Sequence, residues 1–192
     1  IDLSVLKPLN HLKELVIFEA GTIKNMSVLN ELKLLEMLAL KVGEIEFDMS
    51  TMQLPELKWL AINPGVTQKE FDGALIKSPK LEYVELIAND TIKSLQALSE
   101  LDNLQGLIIW ETVTDIPSIK ELSNLKFLSL PAEHLKNRDD LKDIQQALPG
   151  VSLMATEGFC LGSGWLLLLF PLVFIFSFIV RNTGLKNKAE VR

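Results

Sequence analysis

One short pattern, a leucine followed by apolar residues three and five places later, returns along this chain at nearly even spacing. It reads Leu12-Lys-Glu-Leu15-Val-Ile17, Leu35-Glu-Met-Leu38-Ala-Leu40 and Leu57-Lys-Trp-Leu60-Ala-Ile62. It continues as Leu81-Glu-Tyr-Val84-Glu-Leu86, Leu104-Gln-Gly-Leu107-Ile-Ile109 and Leu125-Lys-Phe-Leu128-Ser-Leu130, with a looser copy at Leu148-Pro-Gly-Val151-Ser-Leu153. The leading leucines stand 23, 22, 24, 23, 21 and 23 residues apart. A fixed period of this length means one small structural unit repeated. No single unit can bury its own apolar side, so the core must come from stacking neighbours.

The chemistry inside each unit follows from side-chain geometry. Alternation in the Leu-x-Leu part places two side chains on one face of a short strand. Between strands the apolar residues step by three, as in Ile92, Leu95, Leu98, Leu101, Leu104 and Leu107, and in Ile116, Ile119, Leu122, Leu125 and Leu128. That spacing suits a tight helical turn packed behind the strand. Two connectors read as longer helices: Thr67-Gln-Lys-Glu70 forms a capping box ahead of Phe71, Ala74 and Leu75, and Asn137 can cap a run to Leu148. Ser78-Pro79 ends the first.

These residues resemble the leucine-rich-repeat family over roughly residues 1–156, and the stepping by three resembles its bacterial internalin type. The resemblance implies an α/β solenoid of about seven repeats of 21–24 residues with a parallel sheet on its concave face. It also implies protein recognition and not catalysis. The chain departs from the family in the asparagine expected after each strand, which occurs only as Asn89, with Ala20, Gly43, Gly65 and Thr112 at the equivalent places.

A second kind of sequence begins near residue 157. Phe159 to Val180 holds 22 residues without a charge, about 33 Å as a helix and so enough to cross a bilayer. Arg181, Lys186, Lys188 and Arg192 against Glu190 give the last twelve residues +3, which leaves −9 on residues 1–180 out of a formal −6 for the chain. The expected division is a repeat domain at 1–156, a transmembrane helix at 157–181 and a basic tail at 182–192. The positive-inside rule then puts the tail in the cytoplasm and the repeats in the periplasm or outside the cell, with a bacterial inner membrane as the expected setting. Gly158, Gly162 and Gly164 supply small residues through which another helix could approach, and lipid would surround 159–180. Cys160 is the only cysteine, so no disulfide forms within the chain. It is read as a small apolar residue near the outer end of the helix.

Composition excludes several functions. An acidic body without a Lys/Arg cluster has nothing with which to track nucleic-acid phosphates. His11 and His134 have no neighbours at zinc-ligand spacing, and there is no nucleophile or phosphate-binding motif in a strand-turn-helix context. No cofactor, metal or catalytic residue is expected. Asp139, Asp140 and Asp143 cluster where acids favour a helix N-terminus.

The candidate site is the face of the sheet turned away from the core. Its three columns read Glu14, Met37, Trp59, Tyr83, Gly106, Phe127; then Val16, Ala39, Ala61, Glu85, Ile108, Ser129; then Phe18, Lys41, Asn63, Ile87, Trp110, Pro131. Of these 18 positions 12 are apolar or aromatic and three are charged, the reverse of what a solvated sheet face needs. The expected partner-binding residues are therefore Phe18, Met37, Trp59, Tyr83, Ile87, Ile108, Trp110 and Phe127. The partner is expected to be a protein, such as another subunit of a membrane complex. The alternatives are a structural accessory acting mainly through its membrane helix, and a surface protein whose C-terminus is a sorting signal.

Overall fold

The computed structural model describes residues 1–18, 21–41, 47–62, 65–87, 91–111 and 115–156. Seven strands form one parallel sheet in sequence order: β1 (Glu14–Phe18), β2 (Met37–Lys41), β3 (Trp59–Ile62), β4 (Tyr83–Leu86), β5 (Gly106–Ile109), β6 (Phe127–Leu130) and β7 (Ser152–Ala155). The register repeats the sequence pattern: Leu15, Leu38, Leu60, Val84, Leu107, Leu128 and Leu153 stand side by side across the seven strands. Equivalent residues of successive repeats thus become lateral neighbours.

The connectors divide by length, as the spacing required. Leu3–Leu6, Met26–Glu31, Met49–Thr51 and Gln96–Glu100 are short 3₁₀ helices. Helix α1 (Gln68–Ile76) starts at Thr67 with the full reciprocal capping box, the Thr67 amide donating to Glu70 Oε2 at 2.9 Å. Helix α4 (Arg138–Ala147) is capped by Asn137, whose side chain accepts from the Asp139 amide. Helix α2 (Ile116–Lys120), begun by Asp115 with Pro117 in its first turn, forms where the stepping by three called for a tight helical turn, whereas α3 (Ala132–Lys136), after Pro131, lies where no helix is read from the pattern. His134 is buried in α3 with Nδ1 3.3 Å from Asp140 Oδ2. The stepping by three at 116–122 is satisfied by a short α-turn as well as by a 3₁₀ turn, because both put every third or fourth residue on one side.

Leucine ladders fill the space between sheet and connectors. Leu35, Leu57 and Leu81 are fully buried, as are Leu38, Leu60, Val84, Leu107 and Leu128. Truncating one such leucine removes a side chain that neighbours cannot replace, which costs about 2–5 kcal/mol. In the first repeat Leu12, Leu15 and Ile17 are only partly buried, since β1 is the end strand.

Among the described residues no helix is long and apolar enough to cross a membrane. Residues 157–192 lie outside them, and with them Gly158, Cys160, Gly162, Gly164, the charge-free run and the basic tail.

Candidate interaction face

The side chains opposite the core form the candidate site, and the strand register lays them out. Met37, Trp59, Tyr83, Gly106 and Phe127 stand in one lateral row. Trp59 and Tyr83 stack with ring centroids 5.1 Å apart and planes 22° from parallel, the offset arrangement that aromatic quadrupoles favour. Tyr83 in turn covers Gly106: a Cβ built there would lie 2.2 Å from Tyr83 Cδ1. Only glycine leaves room for the ring, and glycine itself is buried by it.

The second row is Ala39, Ala61, Glu85, Ile108 and Ser129. Ala39, Ala61 and Ser129 are buried, and so is Pro131 beyond β6. The sequence expectation that all three columns face outward needs correction at these small residues. The available surface is therefore carried by fewer groups. Phe18 is 57% exposed and Trp110 42%, while Met37, Trp59, Tyr83, Ile87, Ile108 and Phe127 are half-buried. Asn63 lies outside the described residues.

Trp110 does not lie idle on this surface. Its indole Nε1 donates to Glu85 Oε1 at 2.7 Å, joining the end of β5 to the middle of β4. The rings are thus of two kinds: a stacked shelf of Trp59 and Tyr83, and an exposed indole tied to a carboxylate.

At the N-terminal ends of the strands a charged row sits beside the aromatic one. Glu36 takes Lys13 on one carboxylate oxygen and Lys58 on the other, each at 2.7 Å. Hydrogen bonds from these lysines bring its pKa down to about 2, and the Glu36 bond in turn raises that of Lys58. Further along, Lys126 Nζ donates to Gln105 Oε1 at 2.8 Å. The row Lys13, Glu36, Lys58, Glu82, Gln105, Lys126 alternates in sign over its first four members, and the column could have been read from the aligned repeats.

Other polar ties between repeats were not evident from the sequence. Gln68 Oε1 accepts from the Lys93 and Ser94 amides at 2.8 and 3.0 Å while its Nε2 donates to Ser94 O at 2.9 Å. Asp115 accepts from the Leu95 amide at 2.7 Å and from Ser118, and these bonds hold its carboxyl below the ordinary aspartate range against the opposing effect of burial, the largest single influence on it. Asn103 and Asn124 each donate to a carbonyl of the preceding repeat, Pro79 and Asp102. These contacts perform part of what a buried asparagine ladder would. Asp143 pairs with Lys120 at 3.1 Å, joining α4 to α2. No group of three or more metal-ligating side chains occurs among the described residues.

No family model matches the chain, and no curated protein matches it in sequence. Its fold is shared with solved structures. An internalin (inlF) from Listeria monocytogenes aligns with it at a TM-score of 0.57 and 21% identity, over 78% of this chain and 43% of that one. The architecture is an internalin-like leucine-rich-repeat fold, and the chain spans less than half the length of that relative.

Proposed function

We propose that residues 1–156 are a protein-recognition module whose open sheet face grips a partner. Catalysis has no part in this reading. The observation that carries it is the density of aromatic and aliphatic side chains left accessible on one face: Phe18, Met37, Trp59, Tyr83, Ile87, Ile108, Trp110 and Phe127. Apolar area of this kind is unfavourable in water until a partner covers it, and buried aromatic anchors carry most of the energy in many interfaces. The likeness to an internalin supports the same reading at the level of fold.

We further propose that the charge-free run anchors the module in a membrane, with the basic tail on the cytoplasmic side and the repeats outside. The partner is then most simply a subunit of a membrane complex. The test is recovery of co-purifying protein from source membranes in mild detergent. Trp59→Ala combined with Trp110→Ala should abolish that recovery while the unfolding temperature of the chain changes little. A large fall in unfolding temperature, with recovery lost only in proportion, would assign these rings to the core.

A further inference from the structure

The first layer of the stack carries interior residues, yet among the described residues no layer covers it. Aligned on the repeat, Val5, Leu9, Leu12, Leu15, Val16 and Ile17 are the counterparts of Val28, Leu32, Leu35, Leu38, Ala39 and Leu40. The second set is buried throughout, whereas Val5 is 70% exposed, Leu9 47% and Val16 43%, with Leu12, Leu15 and Ile17 only partly buried. Each layer of such a stack hides its apolar side under a neighbour. An apolar patch left open in this way marks a docking surface. We infer that a second copy of the chain covers it, β1 pairing with β1 of that copy across a two-fold axis.

The edge of β1 is suited to pairing with itself. The Met37 amide donates to Lys13 O at 2.9 Å, so the odd-numbered residues of β1 turn their backbone toward β2 and Val16 turns its amide and carbonyl outward. Val16 is also the midpoint of the strand. An antiparallel strand centred there sets Val16 beside Val16 of the second copy and Leu15 beside its Ile17, so apolar side chains continue across the join on both faces. Within Glu14–Phe18 there is no proline, lysine or arginine, residues that keep many edge strands single. Charge favours the same end. Residues 1–41 hold five lysines against five acids, so the −9 of residues 1–180 falls wholly on residues 42–180. Two acidic chains repel over those later repeats and approach at least cost through the neutral end.

The test is sedimentation velocity of the purified full chain in mild detergent over a range of concentrations, with cross-linking to check the position. Wild type should pass from one copy to two as concentration rises. Val16→Pro removes the outward amide at a place where an edge strand tolerates proline, and Leu9→Lys sets like charges on both sides of the join. Each should raise the dimer dissociation constant at least about tenfold, with far-ultraviolet circular dichroism unchanged. In a Cys160→Ser background, Val16→Cys should form a disulfide-linked dimer on mild oxidation, because facing residues of such a pair lie about 5.5 Å apart. Ser123→Cys, at an exposed serine in the sixth repeat, should not. A chain that stays monomeric, a dimer unaffected by both variants, or a Val16→Cys chain that links to a different protein in source membranes and not to itself would overturn the inference. Dimerisation is measured on the chain alone and partner recovery on source membranes, so either can fail without the other.

Discussion

Tyr83 of β4 lies over Gly106 of β5 so closely that a methyl group on residue 106 would stand 2.2 Å from Tyr83 Cδ1 and 2.6 Å from Cε1. The glycine is a notch that accepts the ring, and the ring that fills it is also the one stacked on Trp59. Gly106→Ala should therefore swing Tyr83 away and break its stack with Trp59. The obstructing atoms belong to a side chain that can move, so the cost should fall near the low end of the overpacking range, about 1 kcal/mol. Near-ultraviolet circular dichroism checks the stack and thermal unfolding checks the cost. An unchanged aromatic spectrum would mean that the ring does not depend on the notch.

Ser78 interrupts a column that is leucine in the first six repeats otherwise, since Leu9, Leu32, Leu54, Leu101 and Leu122 hold the equivalent place three residues before the leading leucine of their repeats. It is fully buried and its Oγ has no hydrogen-bond partner among the described residues, although its backbone is satisfied through Leu75 and Leu81. Burying a hydroxyl without a partner is unfavourable. Ser78→Ala should stabilise the fold by about 1 kcal/mol, raising the unfolding temperature by roughly 2–4 °C. Ser123→Ala, at an exposed serine, is the neutral comparison. A fall in unfolding temperature for Ser78→Ala would show that the hydroxyl contributes to the fold.

What could be read from the sequence follows the range of the forces involved. The strands and the buried leucines were legible because each is set by spacing within about five residues, the strand order because each repeat must stack on the next, and the capping residues Thr67 and Asn137 because a cap acts within one turn. The outward columns were legible as rows, but which members remain accessible was not. That depends on whether a large neighbour closes over Ala39, Ala61 or Ser129, and so on rotamers across strands. The burial of His134 escaped because α3, which carries it, begins without a side-chain cap that would announce it, and the bridging role of Gln68 because its partners sit in the next repeat. Gln68 reaches residues 25 and 26 places further on, and only a lateral alignment of repeats brings that pair together.

Acid should weaken the charged row in a defined window. Glu36 has its pKa lowered from 4.5 to about 2 by its two lysines. A depressed carboxyl favours the folded state above its unfolded value, and that contribution fades as pH falls from about 4.5 toward about 2. Asp2, Asp48 and Asp115 are lowered as well, so the whole chain should lose stability on acidification. Glu36→Gln should show a shallower decline over the same window, and high salt should bring wild type toward it, because the Lys13–Glu36–Lys58 pairs are solvent-accessible and screened. Parallel curves for wild type and Glu36→Gln between pH 5 and pH 2 would show that the Lys13–Glu36–Lys58 row does not couple to folding.

The topology of the C-terminal part can be tested without knowing the partner. The reading rests on a charge-free run from Phe159 to Val180 followed by a tail of net +3, with Glu157 on the other flank. Lys and Arg next to an apolar span are retained on the cytoplasmic side, whereas acidic residues influence orientation little. Protease added to sealed right-side-out cells or spheroplasts should digest the repeats and spare an epitope placed after Arg192. Carbonate extraction should leave the intact chain in the pellet. Digestion of the epitope with protected repeats would reverse the orientation, and release of the chain by carbonate would remove the anchor altogether while leaving the binding face of the repeats to be judged on its own.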